Sequence, residues 1–396
     1  MPSPPHPSLP PIHGVGVIPP GVTDRLRRPG PLEDPRLAAA VLVLAGLLLL
    51  GWAVVAWRGH RAGRRPRHPV LRRAGLVSAL LVTLLAGGLL EVNSYAGYVP
   101  TLGALRDLLT GRTIAPPDPS SAAPGTAAAA LPAVSGRPAA GATAAPGSRL
   151  VALRVGAPDL GIGPQTTYVY LPAGYDLPAN ATRRYPVVYL VRGYPGGSAD
   201  WLRAGRANRA MDLLTAQHLV GPMILVMPDA NGGWLHDSEC LNAVAGPQVE
   251  TYLTTRVVAA VDSHFRTVAA RTGRAIGSMS SGGYCALNLG LRHQDTFAVV
   301  LASQPYGDPG QDVVRPELGG SRRLFHANSP SYYVPTLRFT HPMAVFLDAG
   351  GDDPETARTA VALARALADR GQYVALRLAP GLHHTWREAR VELPYS

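Results

Sequence analysis

Charge vanishes from two stretches near the start of the chain and returns in force between them. Leu37 to Trp57, "LAAAVLVLAGLLLLGWAVVAW", runs 21 residues without a charge. About 20 such residues let a helix cross a bilayer. A second uncharged run, Ala74 to Leu90, stops at Glu91, and the flank "VNSYAGY" after it suits a membrane interface, where tyrosines are favoured. The pattern predicts two transmembrane helices, at 37–57 and 74–91. A buried helical hairpin in a soluble domain is the alternative, and the length and uniformity of the first run count against it. The connecting segment 58–73 holds seven arginines and no acid, so the positive-inside rule keeps it cytoplasmic. Both chain ends then face outward, as in a multi-pass cell-membrane protein with an extracytoplasmic C-terminal part. Residues 1–36 are Pro-rich and read as a disordered tail. A cleaved signal peptide is not expected, because the first apolar run begins late and lacks the charged-then-apolar start.

Beyond a juxtamembrane segment at 92–112 the pattern changes twice. From 113 to 148 the chain is almost only Ala, Pro, Gly, Ser and Thr. Such a segment cannot offset its ordering entropy by burial and is expected to be an extended linker. From 149 to 396 short β-rich runs recur: 150–155, 166–172, 185–193, 222–229, 273–280, 297–304, 342–350 and 373–380. Helical periodicity lies between them, most clearly at 248–266, 283–292 and 355–370. The alternation predicts an α/β domain with a mostly parallel sheet covered on both faces. Uncharged runs such as "VVYLV" and "MILVM" suit strands buried on both sides. In such folds ligands meet the carboxyl ends of the strands.

Composition and charge narrow the possibilities. At 46% hydrophobic and 16% charged, the 396-residue chain is not disordered as a whole. All 37 basic residues are arginine, and the net charge is +11. Residues 1–148 carry 14 arginines against 6 acids, and residues 149–396 carry 23 against 20. The excess sits beside the apolar segments, so nucleic acid is not an expected partner. The two cysteines, Cys240 and Cys285, both lie beyond the linker, where an oxidising exterior permits a disulfide; two buried free thiols are the alternative. No Cys/His cluster is present and no G-x-G-x-x-G follows a strand, so neither a metal nor a nucleotide cofactor is implied.

The candidate chemistry lies at the ends of the β-rich runs. "RAIGSMS" runs directly into "SGGYCALNLGL", a small-residue turn leading to a helix. This is the setting of a nucleophile elbow, with Ser280 at the turn and its hydroxyl held clear of the sheet. Small residues are needed two places either side; Gly282 supplies one, while Ser278 replaces the usual upstream glycine. A Gly/Ser-rich turn without catalytic role is the alternative. "YPVVYLVRGYPGGSADW" ends a core strand in a Gly-rich loop able to offer a backbone N–H to an oxyanion. By position, the Tyr194 and Ser281 amides would form that hole. "FLDAGGDDPET" puts Asp352 and Asp353 after another strand, as triad acid or as helix cap. "LAPGLHHTWRE" puts His383 and His384 after the last. The order Ser, Asp, His, each after a strand, is that of α/β-hydrolases. Cys285 sits inside the following helix, which favours a structural role over a thiol nucleophile.

The strings "YPVVYLVRGYPGGSADW", "LVMPDANGGW", "AIGSMSSGGYCALNLGLRH", "GGDD" and "HTW" carry a resemblance over residues 150–393. The C-terminal domain resembles the putative-esterase family of α/β-hydrolases, which includes esterase D, feruloyl esterases and secreted mycolyltransferases. The apolar helices ahead of "NSYAGYVPTLGALRDLLTG" resemble its membrane-anchored actinobacterial branch. The resemblance implies an α/β-hydrolase fold, Ser280 as nucleophile, Asp353 as acid (the end of G-x-x-D) and His384 as base (the start of H-x-W). Asp352 and His383 are the alternative members. "HDSEC" and "GYCAL" look like the family's paired cysteines. Two departures stand out: Ser278 in the elbow, and Arg192 where relatives usually carry His or Asp, which bears on substrate preference. The expected activity is ester hydrolysis or acyl transfer on a small-molecule, lipid or sugar ester. A catalytically inactive domain serving as an envelope-binding module is the alternative, and a mycolyltransferase is a narrower one; nothing in the sequence independently reads out a long acyl chain.

Overall fold

The structure is a computed structural model and describes residues 12–61, 69–111, 114, 147–230 and 236–396. The chain divides into two compact units, one through Met1–Leu26, Thr113–His384 and Glu388–Ser396, the other through Arg27–Arg112 and Thr385–Arg387. The expected linker at 113–148 falls almost wholly outside the described residues, as does 62–68 of the basic segment.

The larger unit is built on one eight-stranded sheet. Its strands are β1 (Arg149–Ala157), β2 (Ile162–Leu171), β3 (Val187–Leu190), β4 (Ile224–Met227), β5 (Arg274–Met279), β6 (Val299–Ser303), β7 (Ala344–Gly350) and β8 (Tyr373–Ala379). They lie in the order β1-β2-β4-β3-β5-β6-β7-β8. β1 and β2 form an antiparallel pair with Arg149 opposite Leu171, and β2 is also antiparallel to β4. From β4 through β3 to β8 every pairing is parallel. Each expected β-rich run overlaps one strand, although β1 extends past 150–155 at both ends and β2 begins four residues before 166. β3 and β4 are buried at every residue, as uncharged strands covered on both faces should be.

The helices carry the crossovers. Ser281–Arg292 follows β5 and is buried from Ser281 to Leu291. Pro354–Asp369 follows β7 with Ala360, Leu363, Ala364 and Leu367 on its buried stripe. The helix expected at 248–266 is not regular. A π segment, Tyr252–Val257, separates Val249–Thr251 from Val258–His264. There the Thr254 and Thr255 hydroxyls donate to the carbonyls of Glu250 and Thr251. Such side-chain donors compete for the backbone acceptors that hold a regular turn.

The expectation of a disordered tail fails from residue 12 onward. Pro20–Arg27 is a helix whose Val22 and Leu26 are fully buried and cluster with Ala210 and Leu214 of the helix Ala207–Ala216. Upstream, the His13 N–H donates to Val374 O at 2.8 Å and His13 O accepts from Leu376 N at 3.0 Å. His13 thus adds a parallel bridge beside edge strand β8, and its ring stacks on Tyr373 with centroids 4.3 Å apart. Two apolar side chains four residues apart reach one groove, and that burial overrides the Pro-rich composition.

The smaller unit contains the helices Pro35–Arg61 and Pro69–Ala96, joined by the segment that includes 62–68. Both are long and apolar enough to span a membrane, over Pro35–Gly59 and Ala74–Ala96, and few of those residues are buried. Leu47, Leu50, Val55, Val82, Leu85 and Leu89 are exposed, unlike the apolar residues of the helices that cover the sheet. The two pack closely at Gly87, where a Cβ would collide with the Leu42 side chain. Near their other ends, Asn93 donates to Leu32 O at 2.8 Å and Val99 O at 2.9 Å, and accepts from Val99 N.

Truncating a buried leucine costs about 2–5 kcal/mol. Leu26→Ala is expected to lower the stability of the larger unit by about 3 kcal/mol, measured by denaturant unfolding of the detergent-solubilised full chain. Val17→Ala, at an exposed position, is expected to leave the midpoint unchanged.

Candidate active site

β5 ends at Met279, and the chain turns at once into the helix Ser281–Arg292. The turn forces Ser280 to φ 62° and ψ −135°, a region that residues with a side chain seldom occupy. Ser280 N donates to Ser303 O at 3.1 Å, which holds the bend against the end of β6. The loop after β3 crosses the same point. A Cβ at position 282 would lie 2.6 Å from Arg192 O, and one at 193 would lie 3.2 Å from Met279 O, so both glycines answer to a backbone crossing. Ser278, the departure from the glycine pattern, has a use: its hydroxyl donates to Val191 O and accepts from Trp201 Nε1 at 3.3 Å. The small hydroxyl ties β5 to the end of β3 and is buried there.

The two acid–histidine doublets separate clearly. His384 Nδ1 lies 3.2 Å from Asp353 Oδ2, with side chains 27% and 19% exposed. His383 Nε2 and Asp352 Oδ2 are 4.0 Å apart and about half exposed, at 44% and 50%. Asp353 does two jobs: its other oxygen accepts from Thr356 N and caps the helix Pro354–Asp369. Burial pushes the Asp353 carboxyl up, but hydrogen bonds from Thr356 and His384 outweigh it, and its pKa falls below the usual value. Asp353 therefore stays a carboxylate wherever a histidine does acid–base work. His384 Nε2 is buried and has no hydrogen-bond partner among the described residues.

Ser280 opens into a cleft of about 410 Å³ that Tyr194 and Ser281 also line. The partner of the Ser280 hydroxyl is Tyr306, whose Oη lies 3.5 Å from Ser280 Oγ. The Tyr306 ring stacks on His384 with centroids 5.9 Å apart and planes 14° from parallel. Burial raises the Tyr306 pKa, so its phenol remains a donor. Arg192 does not point into this cleft as a free cation. Its guanidinium donates to Gly193 O at 3.3 Å, Gly196 O at 3.0 Å and His236 O at 2.7 Å. It thereby joins the loop after β3 to the segment bearing Cys240. A Cys240–Cys285 disulfide, Cα atoms 5.7 Å apart, fastens that segment to the helix after Ser280.

Sequence reasoning missed Tyr306 and Gln304, which follow β6 in "SQPY". Gln304 is fully buried at φ 48°. Its Nε2 donates to His383 O and Glu392 Oε1, both at 3.1 Å, and its N–H donates to Asp348 O. Gln304 thus fixes the backbone of the histidine loop. Beneath it, burial pushes the carboxyls of Asp348 and Glu392 upward, and Arg377 Nη1 meets Asp348 at 2.8 Å. The signal available was the strand-end rule, which marks whatever follows a parallel strand.

A mostly parallel eight-stranded sheet that delivers a serine on a strained turn after its fifth strand is an α/β-hydrolase, the fold the sequence resemblance implies. The chain belongs to the family described as "Putative esterase", whose model matches residues 163–387. An esterase of Mycobacterium tuberculosis is 33% identical over 134 residues, 33% of this chain and 26% of that protein. An endo-1,4-beta-xylanase/feruloyl esterase of Xylanibacter ruminicola is 31% identical over 136 residues, 34% of this chain and 18% of that protein. The chain therefore spans about a quarter or less of the length of these two relatives. Among solved structures, a ferulic acid esterase is similar with a TM-score of 0.54 at 25% identity, covering 63% of this chain and 97% of that one.

Forcing a methyl group into the crossing at Gly282 is expected to cost about 1–3 kcal/mol. Gly282→Ala should lower the unfolding free energy by about that amount and shift the denaturant midpoint down accordingly. An unchanged midpoint would show that the backbone near Arg192 O yields freely.

Proposed function

We propose that the chain is a membrane-anchored serine esterase or acyltransferase acting on carboxylic esters from the extracytoplasmic side. The observation that carries the chemistry is the His384–Asp353 pair, with its outer nitrogen unpartnered, in a site whose elbow serine opens into a large cleft. In the proposed reaction Ser280 Oγ attacks the ester carbonyl while His384 Nε2 takes its proton. Asp353 holds the imidazole in the required tautomer and offsets its charge. The Tyr194 and Ser281 amides receive the oxyanion; donors of this kind typically contribute about 3 kcal/mol each. His384 then protonates the departing alkoxide, leaving an acyl group on Ser280. Water, or a second hydroxyl, attacks that acyl group with His384 again taking the proton, and Ser280 is restored. Catalytic hydrogen bonds are often long before substrate binds, which accommodates the 3.5 Å contact of Ser280 with Tyr306 instead of His384.

Three observations support the topology. Residues 12–26 precede the first apolar helix yet pack within the larger unit, so an even number of crossings must separate them from the sheet. Two helices of spanning length lie between. The arginine-rich segment joining them favours the cytoplasm, and the disulfide favours an oxidising exterior.

A second reading, an inactive domain that binds envelope material, is favoured by the absence of a Ser280–His384 hydrogen bond. A fluorophosphonate probe separates the two. The esterase reading expects a covalent adduct on Ser280 of the solubilised full chain, lost in Ser280→Ala; folded protein that takes up no probe would favour the binding module. Asp353→Asn and His384→Ala are expected to lower ester turnover roughly 10³-fold or more. Asp352→Asn and His383→Ala should retain most of it, and the reverse pattern in initial-rate kinetics would exchange the assignments.

A further inference from the structure

A chain with a net charge of +11 surrounds its candidate nucleophile with acids. Asp237, Glu239, Asp308, Asp312 and Glu355 all line the Ser280 cleft, and no arginine lines it among the described residues. None of the five is ion-paired with an arginine among the described residues; the pairs found lie elsewhere, as in Arg256–Asp159, Arg274–Asp262, Arg292–Glu250 and Arg377–Asp348. Glu239 is the telling member. Its side chain lines the cleft, the residue is only 9% exposed, and its Oε2 is buried without a hydrogen-bond partner among the described residues. An acceptor left unsatisfied at a cavity wall is costly unless a donor or cation fills the space.

The acids cannot drift apart to relieve one another. Glu239 N donates to Asp237 Oδ1 at 3.0 Å. The next residue, Cys240, is bridged to the helix after Ser280, and Arg192 grips His236 O from the other side. Burial first, then the charges of Asp237 and Asp312, a carboxyl–carboxyl interaction with Asp237 and the charge of Asp308, push the Glu239 carboxyl well above its ordinary value. Asp237 is also raised by burial, although Arg192 offsets part of this. Arg192 is the guanidinium that acts on this pair, but it donates to the carbonyls of Gly193, Gly196 and His236, so the acidic groups keep their places without an ion pair to it among the described residues.

A metal ion does not suit the arrangement, since no three of these groups converge closely enough to ligate one among the described residues. Charge spread around a cleft that also presents Tyr194 and Tyr306 suits a larger, diffuse cation, which carboxylates attract and aromatic faces accept.

We infer that the Ser280 cleft selects esters that carry an ammonium group. The inference rests on the reading of Ser280 as the reacting group, and isosteric pairs test it. Acetylcholine against 3,3-dimethylbutyl acetate probes the alcohol side; ethyl 4-aminobutyrate against ethyl pentanoate probes the acyl side. For one of the pairs the cationic member should show a kcat/KM at least about tenfold higher at low salt, with the advantage shrinking as salt rises. In Asp312→Asn the cation-to-neutral ratio should fall at least about threefold; as a ratio, it cancels any loss common to both esters. Calorimetric titration of the Ser280→Ala chain with choline and with 3,3-dimethylbutanol gives a readout free of turnover, and only choline should bind. Equal handling of both members of both pairs, or preference for neutral or sugar esters, overturns the inference while leaving the esterase reading intact. Choline binding without turnover of any ester, and without labelling of Ser280, upholds the cation site and removes the esterase reading.

Discussion

One crowded crossing governs the larger unit: the turn out of β5 passes directly against the loop that leaves β3. Arg192 O approaches position 282 so closely, and Met279 O position 193, that neither accepts a side chain without movement. Ser280 sits between them at a positive φ that costs about 1–3 kcal/mol unless its surroundings over-determine it. They do: Ser303 O holds the Ser280 amide, and the Ser278 hydroxyl holds the end of β3. The loop carrying Tyr194 and the helix beginning at Ser281 meet at one spot because these two backbones have no room to part.

Much of this was legible beforehand, and the reasons are physical. A parallel strand buried on both faces must be apolar throughout, so β3 and β4 announced themselves as uninterrupted runs. A short strand–turn–helix with small residues around a serine has few other uses, so Ser280 stood out. In the sequence Asp353 reads either as a helix cap or as a triad acid; a carboxylate has two oxygens, and here one caps Thr356 while the other faces His384. Gln304 and Tyr306 were not legible because they belong to no motif. Their roles come from what β7 and the histidine loop bring beside them, which periodicity does not encode. The helix Pro20–Arg27 stayed hidden for the same reason. Two apolar residues among prolines mean little until the groove of Ala210 and Leu214 is known.

Average charge proved a poor guide to local charge. The arginine excess is concentrated ahead of residue 149, and in the larger unit many arginines serve as struts donating to carbonyls, as Arg192 and Arg271 do. A guanidinium spent in this way contributes geometry more than field. The carboxylates that remain can then dominate one cleft in a chain whose isoelectric point is about 10.

The bridge between His13 and Ala375 joins residues 362 positions apart in the chain. β8 is the last of the eight strands in chain order, so the backbone of His13 has no strand to bridge until the other seven have been made. In the topology proposed above, this bridge would form only after both apolar helices have inserted and the sheet has followed them across. A chain whose hairpin inserts in the wrong orientation leaves its terminal strand bare, in the form most prone to pair with a neighbouring molecule.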